Sequence, residues 1–202
     1  AAEVNGEGIF IEFNKETLNH WIAEEHLKKL SNKYAECYRE FCESKGWTVS
    51  VDRNARYVLM HTFAHLLIKQ MSMASGYSSS AIRERIYFGD EMSGILLYTG
   101  SADKEGSLGG LVELGTISSL NVMLRDAFQE ALLCTNDPEC MNNTPAGNNA
   151  NGAACHSCCM ISETACENGN RMLDRGLVVP IVGRENQAYF RDLVNELCQL
   201  EM

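Results

Sequence analysis

In the stretch NARYVLMHTFAHLLIKQMSMAS, residues 54–75, apolar residues would lie on nearly every side of a helix. A helix with that pattern is stable when it is buried on most of its faces. Gly76 follows directly, and glycine is a typical terminator because it adopts the left-handed conformation that ends many helices. The sequence therefore predicts a buried helix over 54–75, and we expect the neighbouring elements to pack around it.

Upstream of this helix, the sequence predicts two strands and two helices. GIFIEF (8–13) has the isoleucine- and phenylalanine-rich pattern of a short strand. Asn14 is placed to cap a helix that runs through Ile22. The stretch 27–41 repeats apolar residues every three or four positions, which is typical of an amphipathic helix. WTVSV (47–51) predicts a further short strand.

Downstream of the buried helix, strand and helix patterns alternate. GILLYTG (94–100) is a near-continuous apolar run, as in a central strand covered on both faces, and a glycine-rich turn over 100–110 follows it. The other predicted elements are a turn or short helix leading to a strand within 78–88, helices over 116–133, 163–175 and 185–200, and a strand over 177–182. This alternation favours a mixed α/β (α+β) domain with a short buried sheet and surrounding helices.

The composition is that of a globular chain of ordinary domain size. The 202 residues are 45% hydrophobic and 22% charged, which is enough apolar material to bury a core. No run of 18 apolar residues occurs, so we expect no membrane span. The opening AAEVNGEGIF lacks the basic and apolar regions of a signal peptide, so the expected location is cytoplasmic.

The net charge of −10 argues against broad electrostatic binding of nucleic acid, because an acidic surface repels phosphates. Two arginine pairs could still form local basic patches, Arg83 with Arg85 and Arg171 with Arg175. Solvated arginines that pair with the many carboxylates are the favoured interpretation of both. An independent DNA-binding module would instead present a basic face that contains Arg171 and Arg175.

The segment AACHSCCM (153–160) holds three of the nine cysteines and suggests a metal site. Its Cys155 and Cys158 have the two-residue spacing of a zinc knuckle. Cys134 and Cys140 form a second pair, which the intervening Asn-Asp-Pro turn can close. The asparagine-rich loop between the pairs has little to bury, and it is tolerable when a metal holds both of its ends. A structural four-thiolate zinc site is the favoured interpretation, worth on the order of 10 kcal/mol of folding free energy.

Other interpretations of the cysteines stay open. An iron–sulfur cluster uses the same four thiolates. Disulfides fit an odd number of cysteines without an export signal less well. A redox pair usually opens a helix after a strand, whereas this motif follows a polar loop. His156, Cys159 or Cys166 could replace one ligand. We expect instead that His156 binds no metal, that Cys159 points into the core, and that Cys166 is a thiol packed within a helix. Cys37 and Cys42, on the amphipathic helix, are expected to be structural thiols.

The sequence HTFAH places His61 and His65 one turn apart on the buried helix. A zinc-metalloprotease motif needs a glutamate directly after the first histidine, where this chain has Thr62. A two-histidine metal site with a remote carboxylate is an alternative. Histidines that are hydrogen-bonded inside a buried helix are the favoured interpretation.

Polar residues around the strand at 94–100 could line a pocket. The candidate set consists of His61, His65, Arg83, Arg85 and Asp103, and Ser101 and Glu84 could lie beside it. Such a set would suit a phosphodiesterase-like or nuclease-like enzyme if the side chains converge in one cleft. The segment GSADKEGS (100–107) is not a phosphate-binding loop, because its glycines are wrongly spaced and no Lys-Ser or Lys-Thr pair follows.

Three stretches together resemble one known family: MHTFAHLLIKQMSMASGYSSSAIRERIY (60–87), GILLYTGSADKEGSLGGL (94–111) and CTNDPEC…GAACHSCCMISETACENGNRMLDR (134–175). In content and order they are similar to the MrfA-type zinc-binding (MZB) domain, over about residues 54–180. The segment GEGIFIEF (6–13) also looks like the one that precedes this domain in DrmB-type proteins of the DISARM anti-phage system.

The resemblance implies a zinc site whose ligands are Cys134, Cys140, Cys155 and Cys158. It also implies the C-terminal part of a large protein that works beside or within a DNA helicase, in DNA repair or phage defence. We expect residues 54–202 to form the zinc-binding domain, with the strand and helices of residues 1–53 packed on its core. The expected role is a scaffold that docks onto a partner helicase or completes its nucleic-acid path, with indirect DNA contact, no membrane contact and no predicted catalysis.

Overall fold

A computed structural model describes residues 6–49, 51–89, 92–99, 110–147 and 150–199. Within these residues the chain forms seven α-helices, two 3-10 turns and one three-stranded antiparallel sheet. The expected mixed fold, a short sheet surrounded by helices, is confirmed. None of the described helices is both long and apolar enough to cross a membrane.

The elements follow one another along the chain as strand, helices, two strands and helices. The helices are α1 (Lys15–Ile22), α2 (Glu25–Ser44), α3 (Ala55–Ser75), α4 (Gly110–Leu114), α5 (Ile117–Leu132), α6 (Glu139–Asn142) and α7 (Arg191–Gln199). The strands are β1 (Gly8–Glu12), β2 (Ile82–Phe88) and β3 (Ser93–Thr99), and the 3-10 turns are Arg175–Leu177 and Glu185–Gln187.

Strand β3 lies in the middle of the sheet, as its apolar sequence predicts. The strand order is β1-β3-β2, and β3 is antiparallel to both neighbours. Gly8 of β1 lies opposite Tyr98, and Ile82 of β2 lies opposite Thr99. The N-terminal strand is therefore an edge strand that joins residues before α3 to the strands after it.

Helix α3 is the centre of the core. Every side chain from Tyr57 to Ile68 is buried, and the helix contacts α2, α5, β2 and β3. The Oδ1 atom of Asn54 accepts a hydrogen bond from the backbone N–H of Arg56 at the helix start. Gly76 ends it with φ 74°, in the left-handed region that glycine adopts without strain. The predicted buried helix is confirmed at both of its ends.

Two predicted elements after Cys158 are wrong. Residues 163–174 form turns in place of the predicted helix, because Gly169, Asn170 and Met172 have φ of 57°, 58° and 61°, which a right-handed helix excludes. Residues 177–182 form no strand, since the N–H groups of Val178 and Val179 both turn back to the carbonyl of Arg175. The apolar run there reflects burial in the core and not a place in the sheet.

Smaller differences occur elsewhere. The described part of WTVSV, residues 47–49 and 51, forms no strand: the Trp47 N–H bonds to the Cys42 carbonyl and so terminates α2. The last helix is shorter than predicted, because a 3-10 turn precedes α7. The glycine-rich turn lies outside the described residues from 100 to 109.

Candidate metal centre

Four thiols from two separate stretches converge beyond the end of α5. Cys134 follows α5, Cys140 lies in α6, and Cys155 and Cys158 lie in a turn after the asparagine-rich loop. The four Sγ atoms all lie within 4.8 Å of one another, and the Cys134–Cys155, Cys140–Cys158 and Cys155–Cys158 separations are 3.4, 3.7 and 3.7 Å. A tetrahedral zinc with four thiolates spaces its sulfurs about 3.8 Å apart. The donor set of this four-cysteine cluster therefore fits zinc.

An ion pair between the buried Arg175 and the half-buried Asp137 holds the first half of the four-cysteine cluster. Oδ2 of Asp137 accepts from the N–H of Cys134 at 2.9 Å, and Nη2 of Arg175 donates to both Asp137 oxygens at 2.6 and 2.7 Å. Nη1 of Arg175 donates to the carbonyls of Ala131 and Leu132, which no longer have helical partners at the end of α5. One guanidinium thus connects the helix end to the turn that carries two thiols.

Helix α3 holds the second half. Nζ of Lys69 donates to the carbonyls of Cys158 and Ser157 at 2.9 and 3.1 Å. Within the turn, the N–H of Cys155 points at the Sγ of Cys158 at 3.3 Å. A positively charged side chain on the central helix therefore fixes the knuckle from outside it.

The segment leading into Cys155 is seated on the carboxylate of Asp174. Oδ1 of Asp174 accepts from the N–H of Ala153 at 3.1 Å, and Oδ2 accepts from the hydroxyl of Tyr34 at 2.7 Å. A Cβ atom at Gly152 would collide with this carboxylate, so the close approach requires glycine. The position of Cys155 thus depends on Tyr34 of α2 and on Asp174, which directly precedes the 3-10 turn Arg175–Leu177.

The electrostatics of the four-cysteine cluster favour a cation. A side-chain hydrogen bond with Cys159 lowers the pKa of Cys158 to about 5, whereas burial raises the pKa of Cys140 above its ordinary value. The N–H of Asn136 donates to the Sγ of Cys134 at 3.4 Å, a contact that stabilises a thiolate. Thiols this close can all ionise together when a divalent cation balances their charge.

The described cysteines outside this cluster and the nearby histidine lie where the packing argument expects them, with one exception. His156 is exposed, and Cys159 is fully buried with its Sγ 3.9 Å from the carbonyl of Ala153. Cys37 and Cys42 are buried, as structural thiols are expected to be. Cys166 is the exception: it lies in a turn and not in a helix.

Cys166 belongs to a second group, with His61, His65 and Glu84. One donor atom from each of these four residues lies within 4.8 Å of the others, and all four are buried. Nε2 of His61 lies 2.9 Å from Oε1 of Glu84 and 3.2 Å from the Sγ of Cys166, and Nε2 of His65 lies 3.2 Å from the same carboxylate oxygen. We call this group the His–Glu–Cys cluster.

The described members of the candidate polar pocket do not line one open cleft. His61 and His65 are 0% exposed, whereas Arg83 and Arg85 point away from them, on the exposed face of β2. Arg85 forms an ion pair with Glu167 at 3.7 Å and is otherwise in solvent. Asp103 and Ser101 lie outside the described residues. Arg83 and Arg85 are therefore solvent-exposed arginines, as the favoured interpretation of this arginine pair expects.

The basic face that a DNA-binding module requires is not formed by Arg171 and Arg175. Arg175 is fully buried against Asp137, and the guanidinium of Arg171 lies over the ring of Phe41 at 4.8 Å. The segment is also not a helix, so the two side chains do not share a helical face.

The sequence leaves open a two-histidine site with a remote carboxylate but does not identify that carboxylate as Glu84, although one signal for the assignment exists. Glu84 alternates with Ile82 and Ile86 along β2, so it occupies the buried face of the strand. A single carboxylate on an apolar face needs a buried partner. The Asp137–Arg175 pair has no comparable signal, because 38 positions separate its members.

Comparison with known proteins supports the zinc interpretation. Residues 63–159 match the model of the MrfA Zn-binding domain (MZB) family, which confirms the resemblance seen in the sequence and zinc as the metal of this domain. The matched range contains all four members of the four-cysteine cluster, whereas His61 and Cys166 lie outside it.

A curated relative extends the similarity to nearly the whole chain. The DISARM protein DrmB of Bacillus paralicheniformis is 53% identical over 196 residues, which are 96% of this chain. The chain spans 35% of the length of that relative.

Proposed function

We propose, on the premise that residues 63–159 form an MrfA Zn-binding domain, that the chain is a structural zinc module of a bacterial anti-phage defence or DNA-repair protein. The zinc ligands in this proposal are Cys134, Cys140, Cys155 and Cys158. The module acts as a scaffold that docks onto a partner helicase or completes its nucleic-acid path. In this proposal residues 54–202 are the zinc-binding part, the described part of residues 1–53 packs on it, and β1 contributes to its sheet.

The observation that carries this proposal is the completeness of the four-cysteine cluster. Four thiolates fill the tetrahedral shell of a zinc ion, so no position is left for water or a substrate. Catalytic zinc sites keep such a position open, and structural sites do not. The cluster also joins the segment of Cys134 and Cys140 to the turn of Cys155 and Cys158, and joining separate segments is the task of a structural metal.

The biological setting follows from the relative. It is named a DISARM protein, and the similarity covers almost all of this chain while leaving most of the relative uncovered. A module of this kind works as part of a larger protein, and the strongly acidic charge makes a protein partner more suitable than direct DNA binding. The eight described cysteines form no disulfide, which supports a cytoplasmic location.

The test combines metal content with defence. The intact protein carrying Cys155→Ser is compared with wild type and with Cys37→Ser, which alters a buried thiol outside the four-cysteine cluster. We expect Cys155→Ser to lose one zinc, to stop co-purifying with the partner helicase and to lose protection in a phage plaque assay. The control is expected to keep all three properties.

Three results would contradict the proposal. Unchanged zinc content in Cys155→Ser would remove the ligand assignment. Full protection and unchanged helicase association without that zinc would remove the scaffold role. If the partner associates normally but an isolated His61 or Arg85 substitution abolishes phosphodiester cleavage, the module is an enzyme instead.

A further inference from the structure

The His–Glu–Cys cluster lies where three parts of the fold meet. His61 and His65 come from α3, Glu84 from the buried face of β2, and Cys166 from the turns that replace the predicted helix. All four side chains are buried, and the two imidazole rings lie 4.5 Å apart between centroids. None of these residues belongs to the four-cysteine cluster.

The histidines are oriented as metal ligands are. Nδ1 of His61 bonds to the carbonyl of Met172 at 3.3 Å, and Nδ1 of His65 bonds to the carbonyl of Cys159 at 2.9 Å. A carbonyl oxygen only accepts, so both Nδ1 atoms carry a proton. Both Nε2 atoms then turn toward the carboxylate of Glu84. Metal-bound histidines use their other nitrogen in the same way, to fix the ring and its tautomer.

The thiol of Cys166 is surrounded by donors. Its Sγ accepts from the N–H of Asn168 at 3.3 Å and from the N–H of Asn170 at 3.2 Å. The first of these contacts has the same two-residue spacing as the Asn136 N–H to Cys134 Sγ contact in the four-cysteine cluster. Backbone N–H groups aimed at sulfur stabilise a thiolate, the form that binds metals.

The carboxylate of Glu84 has unused capacity. Its Oε1 atom receives the N–H of Glu167 at 3.3 Å and faces both histidines. Its Oε2 atom is buried and has no hydrogen-bond partner within the described residues. Leaving a buried carboxylate oxygen without a partner is costly, and a cation beside it would remove that cost.

Protons alone give a less favourable arrangement. With a proton on each Nε2 atom, both rings would donate to the same oxygen, Oε1 of Glu84. With both rings protonated, two buried positive charges lie side by side, and Oε2 stays unpartnered. A divalent cation in place of the two Nε2 protons leaves the total charge unchanged. Each Nε2 atom then donates its lone pair to the cation.

We infer that His61, His65, Glu84 and Cys166 form a second metal site, for a divalent transition-metal ion. Two imidazoles, a carboxylate and a thiolate are a donor set that suits zinc, and four protein ligands in a closed, buried shell make a structural site. The metal clamps the irregular segment 163–174 onto α3 and β2. That segment contains turns and left-handed residues, so it has no helical hydrogen-bond ladder of its own to hold it.

The test is the metal stoichiometry of the intact protein, purified without chelators and measured by inductively coupled plasma mass spectrometry. We expect about two transition-metal ions per chain, one for each cluster. Cys166→Ser and Glu84→Gln each lower this content by one ion, and Cys155→Ser lowers it by the other. Cys37→Ser, which alters a buried thiol in neither cluster, is the matched control and keeps both ions.

Zinc K-edge absorption of the wild type gives a readout that does not depend on any variant folding. Four sulfurs around one ion and one around the other average to about 2.5 sulfur ligands per zinc, with nitrogen or oxygen completing the shells. One ion per chain with an all-sulfur shell overturns the inference and leaves a proton-held network. Two ions that persist in both Cys166→Ser and Glu84→Gln overturn it as well. Neither outcome affects the zinc assigned to the four-cysteine cluster.

Discussion

The four-cysteine cluster and the His–Glu–Cys cluster each gather four donor atoms, but from different kinds of structure. The four-cysteine cluster draws its thiols from a short helix and from turns, and two of them, Cys134 and Cys155, are partly exposed. The His–Glu–Cys cluster takes three of its four residues from a buried helix and a strand. The first therefore needs a metal and outside supports to keep its shape, whereas most of the second is positioned by the core.

This difference teaches how the supports of a site relate to its location. The peripheral four-cysteine cluster is held by long side chains that reach it from elsewhere, above all Arg175 and Lys69. The core cluster is held by backbone groups, the carbonyls of Met172 and Cys159 and the N–H groups near Cys166. Substitutions of the reaching side chains are thus the sharpest probes of the comparison.

The largest effect is expected at a ligand of the four-cysteine cluster. Cys140→Ser removes a buried thiolate, and on the order of 10 kcal/mol of metal-linked folding free energy goes with it. We expect the variant to lose one zinc ion and to unfold without cooperativity. Unfolding in urea is monitored by circular dichroism. Cys166→Ser should keep more of the native signal, because helix and strand still position its neighbours. Equal losses in the two variants would break the comparison.

The next effect concerns the ion pair between the buried Arg175 and the half-buried Asp137. Arg175→Leu leaves the carboxylate of Asp137 and two carbonyls at the end of α5 without their donor, and the free energy of unfolding should fall by about 3–5 kcal/mol. Zinc affinity, measured by competition with a chelator, should fall about 10–100-fold, as it does when the partners of metal ligands are removed. Arg171→Ala is the control, since Arg171 stacks on Phe41 and touches neither pair of thiols.

A smaller effect is expected from the support on α3. Lys69→Met keeps the length of the side chain but removes the two hydrogen bonds to the carbonyls of Ser157 and Cys158, so stability should fall by about 1–2 kcal/mol. Zinc release to a chelator should become faster. Lys29→Met alters an exposed lysine and is expected to change neither quantity. An unchanged rate of zinc release from Lys69→Met would mean that the turn of Cys155 and Cys158 keeps its shape without Lys69.

The smallest effect concerns Tyr34 and its dependence on pH. Burial, followed by the charge of Asp174, raises the pKa of Tyr34 well above 10. A raised pKa in the folded state gives a contribution that is complete below pH 10 and is lost as the pH rises beyond it. Tyr34→Phe should cost about 1 kcal/mol at neutral pH, for the lost hydrogen bond.

The alkaline limb of the stability curve checks this sign. Between pH 10 and 11, Tyr34→Phe should lose stability less steeply than wild type, as measured by urea unfolding at each pH. The hydroxyl of Tyr57, whose pKa burial also raises, remains and leaves part of the slope. A variant with the same alkaline slope as wild type would show that Tyr34 does not titrate with unfolding.

The regular elements and the family were predictable because their signals are local. The buried helix 54–75, the central strand and the amphipathic helix α2 follow from hydrophobic period and from glycine or asparagine at their ends. The two pairs of thiols follow from spacing along the chain, and the structure brings them together. The prediction of a helix over 163–175 is wrong. The hydrophobic period of a sequence does not show which residues adopt the left-handed conformation, as Gly169, Asn170 and Met172 do here.

The sequence by itself determined which residues are buried in helix and strand, and which thiols are close enough along the chain to share a metal. Only the tertiary structure decided that Arg175 is an internal support and not a surface charge, and that Glu84 meets His61, His65 and Cys166 inside the core. The reason is physical. Period and spacing act within about a dozen residues, whereas these contacts join side chains up to 105 positions apart. They arise because a buried charged group needs a partner that is buried with it.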